Sequence, residues 1–265
     1  MTFLLPVLPL PGGEDAPRLR LVPAARGEML LDLHASADGS RLLSTSYRKA
    51  SRSYAPRLWD ARRQLVLAVL PGHAGQILES GFSPDGKTAF TLSSELVLLW
   101  DALRGREIGR FAARPSERLV DAEFAADGTL GFGTSAGRIV TLKGAESREI
   151  ATVAGSVRAF ATAPDGSRFA AATVNGLELV GRDGTKNALP AIKSVWELHF
   201  SPDSSRLLAS RAGTLDWSGD RIDGYANLLD ATGTVLATRP HAVAGRGPGT
   251  VQGGADFVAG GALFW

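Results

Sequence analysis

An all-β chain folded as a β-propeller of four-stranded antiparallel blades is predicted by three observations on these 265 residues. A Pro-Asp-Gly type of turn recurs five times, with its aspartate at Asp38, Asp85, Asp127, Asp165 and Asp203, so that copies stand 38 to 47 residues apart. That spacing brackets the roughly 40–45-residue period of a four-stranded blade and fits no helical repeat better. Four strand-length runs accompany each turn, and no amphipathic segment of three helical turns occurs.

The turn has a mechanism of its own. In Phe82-Ser83-Pro84-Asp85-Gly86-Lys87 proline presets φ, the aspartate bonds nearby backbone, and glycine accepts the positive φ that starts the next strand. Looser copies read Ala35–Ser40, Phe124–Thr129, Thr162–Ser167 and Phe200–Ser205. In the second unit Gln76–Ser83, Thr88–Ser94, Leu96–Asp101 and Glu107–Phe111 supply four strands. The third of these is apolar from Leu96 to Trp100, as expected of a strand buried on both faces.

Read this way, blades cover residues 27–70, 75–111, 118–155, 157–191 and 195–240, and residues 249–265 supply most of a sixth, completed by an N-terminal strand within 17–23. Closure by that strand would leave no exposed ring edge. The expectation is a single domain, 1–265, of six blades, with seven as the alternative if the chain is a fragment.

Gly72-His73, Phe82-Ser83-Pro84-Asp85-Gly86, Leu99-Trp100-Asp101 and Gly105 together, with Arg57-Leu58-Trp59-Asp60 closing the preceding unit, resemble a WD repeat of the β-propeller family, in a divergent bacterial form. The later units read Thr141-Leu142-Lys143, Leu179-Val180-Gly181 and Leu228-Leu229-Asp230 where Trp-Asp would stand. The resemblance implies a bracing network of His, acid, Ser or Thr, and Trp, for which His73, Ser93 and Trp100 are candidates and Glu95 is the nearest acid. Residues assigned to the repeat framework are His73, Asp85, Gly86, Ser93, Trp59, Asp60, Trp100 and Asp101.

Composition excludes several chemistries. No cysteine is present, which removes disulfides, thiolate zinc sites, iron–sulfur clusters and a cysteine nucleophile. The charge of +2 and pI near 9.1 argue weakly for nucleic acid, and none is expected as a partner. Abundant arginine beside scarce lysine reads as a GC-rich, bacterial coding bias. Met1–Pro11 is apolar but broken by Pro6, Pro9 and Pro11 and has no basic start, so no signal peptide is expected. No run reaches the about 18 apolar residues of a membrane span. The expected setting is the cytoplasm, with no membrane partner.

His34, His73, His199 and His241 show no H-x-x-x-H spacing, no G-x-S-x-G occurs, and the glycines of Gly131-Phe132-Gly133 and Gly245–Gly249 open no helix that could cradle a phosphate. Gly131 and Gly133 are expected instead to let neighbouring blades approach. No catalytic, cofactor-binding or metal-binding residue is assigned, no cofactor is expected, and the chain reads as not an enzyme.

Two stretches exceed the repeat. Ser46–Arg57 carries Tyr47, Arg48, Arg52, Tyr54 and Arg57, and Arg211–Tyr225 carries Trp217, Arg221 and Tyr225. Tyrosine, tryptophan and arginine are the residues enriched at interface hot spots. Both stretches link a second to a third strand, which would put them on one propeller face. The expected function is a monomeric, non-catalytic platform for another protein or peptide, either a scaffold or a sensor module of a larger bacterial signalling chain. The alternatives are an enzyme or small-ligand propeller with an axial pocket, and a periplasmic Tol-type propeller. Carboxylates gathered at the axis would favour the former, and aromatic and arginine residues on one rim the platform.

Overall fold

The computed structural model describes residues 28–211, 214–215, 221–222, 224–241, 256–258 and 262–264. All regular structure among them is β, in antiparallel ladders. The first sheet holds β1 (Glu28–Ala35), β2 (Arg41–Arg48), the short β3 (Ser53–Tyr54), β4 (Arg57–Asp60) and β5 (Leu65–Val69). The second holds β6 (Ile77–Phe82), β7 (Thr88–Ser93), β8 (Leu96–Asp101) and β9 (Arg106–Ala112); the third β10 (Leu119–Phe124), β11 (Leu130–Thr134), β12 (Arg138–Lys143) and β13 (Glu146–Thr152). The fourth holds β14 (Ala159–Thr162), β15 (Arg168–Thr173), β16 (Gly176–Gly181) and β17 (Lys186–Leu189). In the fifth, β18 (Glu197–Phe200) and β19 (Arg206–Arg211) precede a two-stranded excursion, β20 (Thr214–Leu215) with β21 (Arg221–Ile222), and β22 (Gly224–Asp230) and β23 (Val235–His241) follow. A last pair joins β24 (Asp256–Val258) to β25 (Ala262–Phe264).

Strand order within each of the five large sheets follows the chain, and the first strands lie against one another in succession, β1 on β6, β6 on β10, β10 on β14 and β14 on β18. That is a propeller-like, multi-bladed arrangement. Residues 17–23, expected to complete a sixth blade, lie outside the described residues, as do 249–255.

The core sits between sheets. Leu43, Leu58, Ala89, Leu98 and Trp100 fill the seam between the first and second, and Phe90, Leu99, Phe124, Phe132 and Val140 that between the second and third. Ile139, Val153, Phe160 and Phe169 fill the next, and alanines 159, 161, 170 and 172 with Leu198, Phe200 and Leu207 fill the last. A fully buried side chain such as Phe132 contributes about 1.5–3 kcal/mol by leaving water. Inner blade strands are therefore apolar on both faces, whereas Glu146–Thr152, outermost in the third sheet, is mostly exposed and carries Glu146, Arg148 and Glu149, which protects that sheet edge from foreign pairing.

Where neighbouring blades come closest, glycine is required. A Cβ at Gly131 would overlap the Thr162 hydroxyl in the next sheet, and one at Gly133 would stand 2.8 Å from Val157 Cγ1 in the link that leads into it. The recurrent turn works as its residues imply. Ser83 Oγ donates to Asp85 Oδ1 at 2.7 Å, the same carboxylate accepts from Lys87 N at 3.0 Å, and Gly86 has φ +68°. Ser36 with Asp38 and Ser201 with Asp203 repeat the arrangement.

Candidate functional site

The first strand of a blade has only one ladder partner, so the amides along its other edge need acceptors from elsewhere. They find carboxylates. Asp32, Glu79, Asp121 and Glu197 each stand six residues before the turn aspartate of their own unit, with Ala159 in the fifth such position, and therefore occupy one level of adjacent first strands. The register of β1, β6 and β10 slips just before this level, at Leu31, Leu78 and Val120. This bulge turns the following acid toward the next sheet.

Ala122 N donates to Glu79 Oε2 at 2.9 Å and Phe160 N to Asp121 Oδ2 at 3.0 Å. Two residues further along, Thr162 N donates to Glu123 Oε2 at 2.8 Å. Each bond joins a first strand to the one that follows it. Asp32 takes a longer bond from Ser80 Oγ, at 3.5 Å, and meets His34 Nε2 at 2.6 Å; Glu197 accepts from Ser210 Oγ at 3.1 Å. Burial pushes the Glu79 carboxyl far above its ordinary range, and the neighbouring Asp121 carboxylate adds to the effect. Glu79 is thus a neutral acid near pH 7, able to donate as well as accept. An open cavity of about 420 Å³ adjoins it, lined by His34, Glu79, Ser80, Phe82, Glu123 and Phe124 among others.

Carboxylates do gather at the axis, yet their geometry is that of staples between strands. No group of three or more His, Asp or Glu with metal-holding geometry occurs among the described residues. Ser80 Oγ bonds Asp32 rather than a histidine.

The end of the axis opposite the Asp-Gly turns has a different character. Leu31, Leu78, Val120, Arg158 and Trp196 occupy one position, immediately before the acid level. Trp196 is 67% exposed, Leu78 50% and Leu31 39%, and Arg158 is also exposed. The chain enters each first strand at this end, and every link from a second to a third strand turns here. Both long links found by sequence, 49–56 and the one containing β20 and β21, therefore belong to it.

Of the residues selected for partner binding, Tyr47 and Tyr54 pair with ring centroids 5.1 Å apart across β2 and β3. Arg48 and Arg57 converge on the buried carboxylate of Glu28; Arg57 reaches it at 2.9 Å and also donates to Ser46 Oγ at 2.8 Å. These two cations brace β1 against the hairpin. Arg52, at φ +50°, is exposed at its tip. Tyr225 donates to the Lys193 carbonyl, and burial raises its phenol pKa. Arg221 lies on β21, and Trp217 lies outside the described residues.

The repeat framework is more complete than its dipeptides suggest. His73 Nδ1 is 3.0 Å from Ser93 Oγ and its Nε2 is 2.8 Å from Thr91 Oγ1, which also accepts from Trp100 Nε1 at 3.0 Å. Thr91, missed by sequence, links histidine to tryptophan, while Glu95 is exposed. Burial holds the His73 pKa down to about 4. Trp59 Nε1 reaches Ser44 Oγ at 2.8 Å from the same relative register. Asp60 and Asp101 cap the following turn, accepting from Arg63 N and Leu103 N, both at 2.9 Å.

No family model matches this chain, and no curated protein matches it in sequence.

Proposed function

We propose that this chain is a protein-binding platform whose docking surface is the end of the propeller-like body that carries Trp196, Leu78 and the two long links. The observation that carries this reading is the exposure of Trp196, 67%, and of Leu78, 50%, at matching positions around one end of the axis. A solvent-facing tryptophan, with exposed leucines at equivalent positions of other blades, suits an interface anchor. The axial carboxylates support the same reading, because their oxygens are engaged by backbone amides of the next blade. The His73–Thr91–Trp100 chain supports kinship with WD-repeat propellers.

The test is capture from native lysate with wild type and Trp196→Ala side by side, after melting curves show both folded. A protein held by wild type and lost from the variant supports the reading. Equal capture by both contradicts it.

Two finer points belong to the same proposal. The ring would hold six blades, the last completed by residues 17–23, so deleting residues 1–24 would lower the melting temperature; unchanged melting would refute closure. The setting would be cytoplasmic, as a scaffold or sensor module. A small-ligand site is the second reading, favoured by the cavity of about 420 Å³ beside Glu79. Its mark would be a small molecule that raises the melting temperature of wild type but not of Glu79→Gln.

A further inference from the structure

The outermost strands of the first three sheets share one register but not one composition. Each is shifted by a bulge at the same point of its ladder, so that Leu67, Ile108 and Ile150 fall at one position. Around it the second sheet carries Arg106, Glu107 and Arg110 and the third Arg148, Glu149 and Thr152, whereas the first carries Leu65, Val66 and Val69. These three apolar side chains are 43%, 41% and 57% exposed. Leu67 and Ala68 between them pack into the seam with the second sheet. A neighbouring blade does not cover the outward positions: the second sheet stands between the first and the third, and its Arg106, Glu107 and Arg110 are still exposed. A blade closing the ring would therefore leave Leu65, Val66 and Val69 in water. Among the described residues β5 pairs with β4 alone, so its other edge also offers unpaired backbone groups.

We propose that β5 is the contact between two copies of this chain, set antiparallel about a two-fold axis. Such a pair closes only through a self-complementary surface, and β5 is one. Turned about Leu67, Leu65 of one copy faces Val69 of the other, and apolar meets apolar throughout Leu65–Val69, which holds no charge. The nearest cations, Arg62 and Arg63, fall at opposite ends, roughly 25 Å apart along the pair and beyond the reach of screened repulsion. The same pairing of β9 would set Arg106 of one copy against Arg110 of the other, a like-charge contact of the kind that guards an edge. The contact is small for a protein interface, so the dimer is reversible and concentration-dependent. In its sheet β5 is the strand farthest from β1 and the axis, which leaves the collar free, and the inference stands apart from the platform reading.

The experiment is sedimentation equilibrium of the full chain. Wild type should pass from monomer to dimer as its concentration rises. Val66→Glu/Val69→Arg, which gives β5 the residues of β9 at the equivalent positions, should weaken the dimer at least about tenfold while melting as wild type does where both are monomers. Val69→Arg alone, at the most exposed of these positions, should act in the same direction and carries the test if the double variant melts lower. Trp196→Ala should dimerise as wild type does. Wild type that stays a monomer, the state expected from the sequence, overturns the inference, and so does a dimer that the β5 variants form equally well. A tagged wild type that captures the double variant as well as it captures itself reveals a heterologous contact and overturns the two-fold pairing. Loss of the dimer in Trp196→Ala alone moves the contact to the collar and overturns it as well.

Discussion

Glu79 Oε2 accepts the amide of Ala122 at 2.9 Å, tying the first strand of one blade to that of the next. The tie sits where burial and Asp121 push the Glu79 carboxyl up to about 9. A raised folded-state pKa means that the folded chain holds a proton the unfolded chain has released. The associated stability is fully present below the unfolded value near 4.5 and is lost as pH rises through the folded one. Asp32, His34, Asp121 and Glu123 are the titratable groups around it. The Glu79 contribution to stability, followed by melting temperature, should therefore decline between about pH 4.5 and 9 in wild type. Glu79→Gln, which mimics the neutral acid, should flatten that fall. Parallel slopes in the two proteins would contradict the assignment.

Arg138 grips Glu117 with two bonds of 2.8 Å, its side chain 7% and that of Glu117 3% exposed, and its guanidinium lies 5.5 Å from the Phe111 ring centre in the preceding sheet. Burial opposes ionisation of Glu117, yet Arg138, the Thr134 hydroxyl and the Arg114 amide hold its carboxyl down to about 2. Arg138→Met strands a buried charge and should cost about 3–5 kcal/mol in denaturant unfolding. The double variant Arg138→Met/Glu117→Leu should recover much of that loss. A double variant as unstable as Arg138→Met would show that the guanidinium acts through packing instead.

The amount of this architecture that could be read in advance followed from what repeats locally. The turns and four-strand units were legible because Asp and Gly at fixed places have one local job. The axial acids repeat equally well, six residues ahead of each turn aspartate, but a lone acid in a strand reads as a solvent-facing position. The bulges at Leu31, Leu78 and Val120 also break the alternation that would reveal the side each residue faces. Arg48 and Arg57 looked like loop cations because Glu28, 29 residues from Arg57 in sequence, becomes their partner only when β1 pairs with β2. Trp196 reads in the sequence as one residue of the alternating run Val195–Phe200, and its exposure depends on where the blade begins.

Gly109 of the second sheet lies close against the Gly144 carbonyl in the β12–β13 turn of the third; a Cβ at Gly109 would overlap that oxygen. Because the obstacle is backbone, Gly109→Ala should separate the sheets and destabilise the chain by about 1–3 kcal/mol, as overpacking does. Gly144→Ala, whose Cβ would meet nothing within 4 Å but whose φ is +56°, should cost about 1 kcal/mol through backbone strain alone. Equal losses would refute the steric account of Gly109.

Thr91 Oγ1 accepts from Trp100 Nε1 and is hydrogen-bonded to His73 Nε2. Thr91→Val keeps the shape and removes the hydroxyl, leaving a buried indole N–H without its acceptor, at about 1–3 kcal/mol. Thr91→Ser should restore most of the loss. If valine is tolerated as well as serine, the chain of hydrogen bonds does not brace the blade.

The measurement that tests the account most directly is the affinity of a captured partner for wild type, Trp196→Ala and Leu103→Ser. Trp196 is 67% and Leu103 56% exposed at opposite ends of the body. A platform that binds through its collar predicts at least about a tenfold loss for Trp196→Ala and wild-type affinity for Leu103→Ser. Loss in Leu103→Ser with Trp196→Ala unaffected would contradict it.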